Sequence, residues 1–349
     1  MLPNYSILHK QDIFITEKYE PDIRRDELSF LSRSFERHFN ERPYLHHTCY
    51  LFLTKTTKER SRQQSNWNTL CRGFLVPKEI RDKETVERFM EAVGQFESIV
   101  NDSGLVRLER LTTEEITGTE NEPGIIERYL TLSAHGTTML QDMQLNPDGM
   151  RIGDKRLCLH TLSDLDDLPG KVKTDGRYER LSTDRSDCRL SYAAPVGVML
   201  PCDHIYNQWI FIDDSNENLS RFEKAAKNMQ SLSRYSRSNQ INKEWLDEYL
   251  NEAHSNGLQS VRCHCNIIAW AENGHELRRV KNDVGSALAL MECTPHHNTT
   301  DLPALYWAGI PGNEADFPAE ETFYTFTGQA LCFFTAETCY RNSLSPFGI

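Results

Sequence analysis

No stretch of this chain combines the residues of a phosphate-binding loop. That loop, G-x-x-x-x-G-K-[ST], needs glycines so that backbone N–H groups approach phosphate, a lysine for the terminal phosphates and a hydroxyl for magnesium. The one Gly-Lys pair, Gly170-Lys171, is followed by Val172, and Leu165 stands where the first glycine belongs. Pro169-Gly170 reads instead as an ordinary turn. G-x-S-x-G, H-E-x-x-H and C-x-x-C are missing too, which removes the sequence support for a serine nucleophile elbow, a zinc-protease helix or a dithiol centre. No uncharged apolar run approaches the roughly 18–20 residues of a membrane span. The opening Met1-Leu2-Pro3-Asn4-Tyr5 lacks the basic and then apolar segments of a signal peptide.

Positive charge is also in deficit. Lys and Arg number 39 against 51 Asp and Glu, a net charge of −12, and this disfavours non-specific nucleic-acid binding, which rests on neutralising phosphates. One local exception is Lys55, Lys58, Arg60 and Arg62, running into Gln63, Gln64 and Asn66 with Trp67 nearby. This is the candidate nucleic-acid contact. A solvated connection after a strand is the preferred reading, because charge runs usually mark solvated surface.

What is present is a 349-residue chain, 38% hydrophobic and 26% charged, a length that suits two domains and a composition typical of soluble proteins. The expected fold class is α+β: mixed sheets covered by helices, with a first subdomain over 1–135, a joint over 136–176 and a second subdomain over 177–349. Strands are expected at Tyr5 to Ile15 and at Tyr44 to Lys55, the latter central because both its faces carry apolar groups. Further strands are expected at Leu105 to Leu111, His204 to Ile212, Gln259 to Trp270 and Pro303 to Ile310, with a hairpin around Gly153-Asp154.

Apolar spacing predicts helices over Asp26 to Phe39 and Thr85 to Val100. Val86, Phe89, Met90, Val93, Phe96 and Val100 form the expected buried face of the second. Thr112 with Glu115 has the form of a capping box, opening a helix that Gly118 to Gly124 interrupts. Helices follow from Asp213-Asp214-Ser215, over Asn242 to Asn256 with Gly257 as its stop, over Glu276 to Cys293 and over Glu320 to Phe334.

Ten cysteines are scattered at Cys49, Cys71, Cys158, Cys188, Cys202, Cys263, Cys265, Cys293, Cys332 and Cys339, a pattern of reduced, buried cytoplasmic thiols. Cys263-His264-Cys265 with Cys293, His296 and His297 is the one constellation resembling a zinc site. Alternation places Cys263 and Cys265 on one strand face with Val261, Ile267 and Ala269, and His264 on the other, so core thiols are preferred over ligands. Cys202-Asp203-His204 offers a thiol beside an imidazole, but reads as a polar loop before a strand. Asp164, Asp166, Asp167, Asp213 and Asp214 lack calcium-loop spacing and read as loop and helix-start charges. Arg177, Arg180, Arg185 and Arg189 among Asp175, Asp184 and Asp187 form a balanced ionic surface. Trp307, Pro311, Phe317 and Phe323, with Tyr324 and Phe326, are the candidate interface.

Several long phrases carry a resemblance. They are Ala308-Gly309-Ile310-Pro311-Gly312-Asn313-Glu314-Ala315-Asp316-Phe317-Pro318, the closing Ser345-Pro346-Phe347-Gly348-Ile349, Leu28 to Phe39, Tyr178 to Arg185, and Asn239 to Trp245. Together they resemble the amino-terminal region of the TraG family, the conjugation ATPases of conjugative transposons within the type IV secretion ATPases. The resemblance implies a chain that continues into a nucleotide-binding domain, with truncation at both ends. It implies a non-catalytic assembly and docking module without cofactor, at the cytoplasmic face of the inner membrane. Its partners would be its own downstream ATPase domain, channel subunits and further copies of itself. The alternatives are a metal-dependent or thiol enzyme built on the Cys–His cluster, and a single-stranded DNA-binding module built on the 55–67 loop.

Overall fold

In the computed structural model the described residues are 2–18, 29–40, 43–62, 82–133, 140–146, 149–172, 176–180, 182–185, 188–232 and 236–335. Their strands are β1 (Ser6–Glu17), β2 (Tyr44–Lys55), β3 (Met143–Asn146), β4 (Gly149–Ile152), β5 (Lys155–Leu162), β6 (Gly176–Arg177), β7 (Arg189–Leu190), β8 (His204–Ile212), β9 (Ser260–Ala271), β10 (His296–His297) and β11 (Phe323–Phe326). Their helices are α1 (Phe30–Asn40), α2 (Lys83–Asp102), α3 (Thr113–Thr117), α4 (Ile125–Thr131), α5 (Ser215–Leu232), α6 (Arg237–Asn256), α7 (Gly274–Leu290), α8 (Leu302–Ala308) and α9 (Thr327–Ala330).

The fold is α+β. Nine strands form one sheet in the order β2-β1-β8-β9-β5-β4-β3, with β10 added to β5 and β11 to β9, while β6 and β7 pair separately. Every described pairing is antiparallel. The expected boundaries at 135 and 176 do not divide this sheet. β1 pairs with β8 from Ser6↔Ile212 to Phe14↔His204, and β5, from the expected joint, pairs with β9. The cause is the two-sided burial of β8 and β9, buried at all but their last position, and of β1, buried on both faces over most of Ser6 to Phe14. Such strands must sit inside one sheet rather than at the margins of two.

The first face of the sheet carries Ile7, Trp209, Ile205, Ile268, Trp270 and Leu159, covered by α4, α8 and Phe317. The second carries Leu8, Tyr206, Ile210, Cys263 and Cys265, covered by α7, the 193–202 segment and Phe333. A smaller cluster joins α5 to α6 through Leu219, Ala226, Leu250 and Phe326.

Several elements depart from the sequence reading. β2 lies at the edge of the described sheet, half-buried rather than central. Leu105 to Leu111 forms no strand; Asn101 brackets Leu108 instead, accepting from its N–H at 2.6 Å and donating to its carbonyl at 3.3 Å, so local side-chain bonds replace a ladder. Pro303 to Ile310 is mostly helix: Leu302, Leu305, Tyr306 and Ala308 are buried while Trp307 is exposed, and Pro303 falls in the first turn, where its missing N–H is harmless. Glu320 to Phe334 is not one helix. β11 pairs Phe323 with Cys263 and Phe326 with Ser260, satisfying the stretch of β9 beyond the reach of β5, whose pairing ends at Cys265. Finally, α2 has no fully buried residue: Val93 and Phe96 pack against the core, but Val86 and Met90 are exposed.

The remaining signals hold. Thr112 and Glu115 form the capping box, Gly257 closes α6 in the left-handed region, Asn273 caps α7, and Gly153 turns the β4–β5 hairpin.

Candidate functional site

Polar side chains cross the middle of the sheet where a core would ordinarily be apolar. On the first face, Gln11 donates to the Asn207 side-chain carbonyl and to the Gly309 carbonyl, both at 3.0 Å. Asn207 in turn donates to Asn266 at 3.0 Å. His264 Nδ1 lies 2.6 Å from the Glu321 carbonyl and its Nε2 lies 3.0 Å from the Asn266 amide. That pattern fits a neutral imidazole that donates at Nδ1 and accepts at Nε2. Burial holds its pKa down to about 3, which agrees. His9 stacks on Trp209 at 4.2 Å and reaches Asn207 with Nε2 at 3.1 Å.

This row holds the 309–317 segment, the centre of the family-like phrase. Glu314 is fully buried. It accepts from Thr54 at 2.8 Å and from the Gly312 N–H at 3.2 Å, and lies 3.7 Å from His9 Nδ1. Burial opposes its charge, but these partners keep its pKa below the usual value. Tyr129 and Tyr306 lock α4 to α8, each hydroxyl donating to the other's backbone carbonyl at 2.9 and 3.0 Å. Gly309 is required beside them, because a Cβ there would come 2.5 Å from the Tyr129 oxygen.

On the second face Asp12 is fully buried. It accepts from His47 and Gln208 at 2.9 Å, from Thr335 at 2.7 Å and from Lys10. Burial works against its charge, yet these hydrogen bonds and the Lys10 ammonium hold it far below the carboxylate range. Asp12 thus fastens Thr335, the last described residue, to the sheet. A third buried charge, Asp213, binds Arg262 at 2.6 Å, whose guanidinium also donates to the Ser61 carbonyl at 2.8 Å and lies over Phe211.

The candidate cations are largely consumed internally. Lys55 donates to the Asn4 carbonyl at 2.6 Å, Lys58 and Arg62 pair with Glu217 at 2.7 and 3.2 Å, and Arg60 pairs with Asp316. The candidate nucleic-acid contact, for which the sequence favours a solvated connection, forms an ionic clasp between the residues after β2, α5 and the 314–316 turn. Gln63, Gln64, Asn66 and Trp67 lie outside the described residues.

The candidate interface also separates. Trp307 is 52% exposed, whereas Phe317 and Phe323 are core; Pro311 is half-buried between them in sequence. Phe317 packs on Trp209 and Phe211, so it is no docking residue.

The Cys–His constellation does not converge. Cys263 and Cys265 lie in the second-face core and His264 in the first. Cys293 contacts the Tyr192 hydroxyl at 3.4 Å, and exposed His296 pairs with Asp167 at 2.7 Å. Among the described residues no three His, Cys, Asp or Glu side chains are grouped to hold a metal ion. Burial pushes the thiols of Cys158 and Cys202 up to about 12 and raises Cys265 well above its ordinary value. His204, beside Cys202 in sequence, is buried and held down to about 4.

A cavity of about 530 Å³ opens between the β1–β2 edge and α4, lined by residues including Ile13, His46, Tyr50, Arg128 and Trp270. No described helix is long and apolar enough to cross a membrane. The peripheral elements instead expose large apolar side chains: Phe30 and Leu31 on α1, Met90 and Ile99 on α2, and Leu105 and Val106 just beyond.

Sequence reasoning missed Asp12, Glu314 and the Asp213–Arg262 pair as organising residues. A signal existed for Asp12, since Lys10-Gln11-Asp12 interrupts a run of strand formers between Ile7 and Ile15. For Glu314 none distinguishes it from the neighbouring Asp316. No protein-family model and no curated protein matches this chain.

Proposed function

We propose that the chain is a non-catalytic assembly and docking module, the amino-terminal region of a TraG-type conjugation ATPase that serves type IV secretion and DNA transfer. The observation that carries the docking reading is the uncovered apolar surface of α1, α2 and the Leu105-Val106 turn. Apolar surface of this kind is costly to expose and marks interaction sites. The family part rests on the resemblance of the phrases; the 308–318 phrase is pinned by Glu314 to Thr54 of β2 and by Gln11 of β1, which suits a rigid platform.

In this reading the sheet is a stiff body that transmits force. The helices at its edge engage the downstream ATPase domain, channel subunits at the cytoplasmic face of the inner membrane, or a further copy. No bond chemistry is assigned to the chain. The thiols of Cys158, Cys202, Cys265 and Cys293 have raised pKa values, which leaves little thiolate, and the surface cations near β2 are already paired, which leaves few for nucleic acid.

The test is light scattering of the purified chain with and without the separately expressed ATPase domain, together with ATP turnover of each. Binding, or a change in the domain's turnover, supports the reading. ATP hydrolysis by the chain alone, or indifference of the two parts and of the channel subunits to one another, overturns it.

A further inference from the structure

The cleft between α7 and the β5–β10 ladder has a different character from the rest of this acidic protein. It measures about 550 Å³ and is lined by His160, Lys281, Asn282, Ser286 and His297, with Gly285, Ala289 and Pro295 as its small apolar members. His160 and His297 are direct cross-strand partners, which puts both rings on the same side of the sheet; their centroids are 5.4 Å apart, edge to face. Lys281, Asn282, Gly285, Ser286 and Ala289 recur at helical spacing, so α7 presents them as one face. Gly285 and Ala289 keep that face low.

The polar side chains of this cleft are not taken up by protein partners. No hydrogen bond or ion pair within the described residues engages the side chains of His160, His297, Lys281, Asn282 or Ser286. His160 is the telling one. It is only 4% exposed, and its Nδ1 is buried with no partner among the described residues, a state that costs free energy. No carboxylate lines the cleft. Asp167 is occupied by His296, whose side chain leaves β10 on the opposite side from His297. Asp283 lies two residues from Lys281 on α7, about 200° around the helix, and influences Cys202.

From this geometry we infer that the cleft is a binding site for a phosphate group, either free phosphate or the end of a phosphate monoester. Lys281 supplies the charge; Asn282, Ser286 and the two imidazoles line the same cleft as donors; the small residues leave room for a tetrahedral group. A cation is the poorer fit, because an ammonium faces the site and only two imidazoles are available as ligands. Burial, then the nearby His297 and Lys281, hold His160 down to about 4; with Lys281 and no carboxylate in its lining, the cleft is electropositive within a chain of net charge −12. This inference does not depend on the proposed docking function.

The experiment is a titration followed through the imidazole NMR signals of His160 and His297, with inorganic phosphate and adenosine 5′-monophosphate as separate probes. Saturable shifts at both rings are expected. Shifts with both probes identify free phosphate as sufficient, and shifts with the nucleotide alone identify a monoester ligand. Lys281→Met, which removes an unpaired surface charge and keeps the fold, should weaken binding about tenfold, as loss of a charge-assisted hydrogen bond does. Ser286→Ala serves as a second, smaller change in the same direction. The inference fails if neither probe moves the ring signals, if sodium chloride at equal ionic strength moves them equally, if zinc ions shift them where phosphate does not, or if K281M binds like the parent protein.

Discussion

Glu314 and His9 face each other in the interior with no solvent access, Oε1 to Nδ1 at 3.7 Å. The contact ties a loop near the end of the described chain to its first strand. Removing the Glu314 carboxylate leaves the part-buried donors of Thr54 and Gly312 without their acceptor, typically at about 1–3 kcal/mol each. Glu314→Ala should therefore lower the denaturant midpoint severely, and Glu314→Gln, which can still accept from Thr54, should lower it less. An E314A protein that unfolds like the parent would remove Glu314 from its organising role.

Arg262 and Asp213 allow a sharper version of the same argument. Arg262→Met alone and Asp213→Leu alone should each destabilise by about 3 kcal/mol or more, because each strands its partner in the core. The double variant should recover much of that loss. A double-mutant cycle on unfolding free energies reads the coupling directly, and simple additivity would contradict a paired burial.

Acid sensitivity follows from His204 and His264. Burial holds them at about 4 and about 3, against about 6.5 for a free imidazole. Between those values the unfolded chain binds protons that the folded chain refuses, so stability rises with pH. It should be complete above about pH 6.5 and decline as pH falls toward 4. Asp12, with its lowered pKa, adds a second loss once unfolded carboxylates protonate, near pH 4. Thermal melts across this range should show both phases, and His204→Phe should flatten the first by about one proton. A melting temperature constant from pH 7 to 4.5 would refute the assignment.

The thiols divide by burial. Among the described residues Cys158, Cys202, Cys263, Cys265 and Cys293 are buried, whereas Cys49 is exposed and Cys188 and Cys332 are partly exposed. A thiol reagent should label the second group in the native protein and the first only after denaturation, since a buried neutral thiol lacks both access and thiolate. Rapid native labelling of Cys263 or Cys265 would contradict their place in the core.

Trp307 and Phe317 separate surface from core within one phrase. Trp307→Ala should change stability by no more than about 0.5 kcal/mol, and Phe317→Ala should cost about 3–5 kcal/mol. Phe30→Ser with Leu31→Ser on α1 should leave the melting temperature unchanged and abolish association with the docking partner. Unfolding of that double variant would show that these residues belong to the core after all.

Local signals were legible wherever the chemistry is local. The capping box at Thr112 and Glu115, the Gly257 stop and the strands at 44–55 and 204–212 all follow from residues within a few positions of one another. The placement of Cys263 and His264 on opposite faces follows from alternation alone. Two helix-or-strand decisions went the other way, at 302–308 and 323–326, because short apolar runs carry either period and their partners decide. β11 exists because β9 runs beyond the end of β5 and has hydrogen bonds to satisfy.

The site residues show the same boundary more strongly. Composition and spacing determined the α+β class and most of its helices and strands, and showed that no phosphate-loop motif is present. Only the tertiary structure decided that β1 joins both halves in one sheet, that the cations after β2 are paired with Glu217 and Asp316, and that His160 meets His297 above Lys281. The physical reason is distance along the chain. Periodicity and capping act over one or two turns, whereas His160 and Lys281 are brought together only when a strand, its partner and a covering helix close on one another.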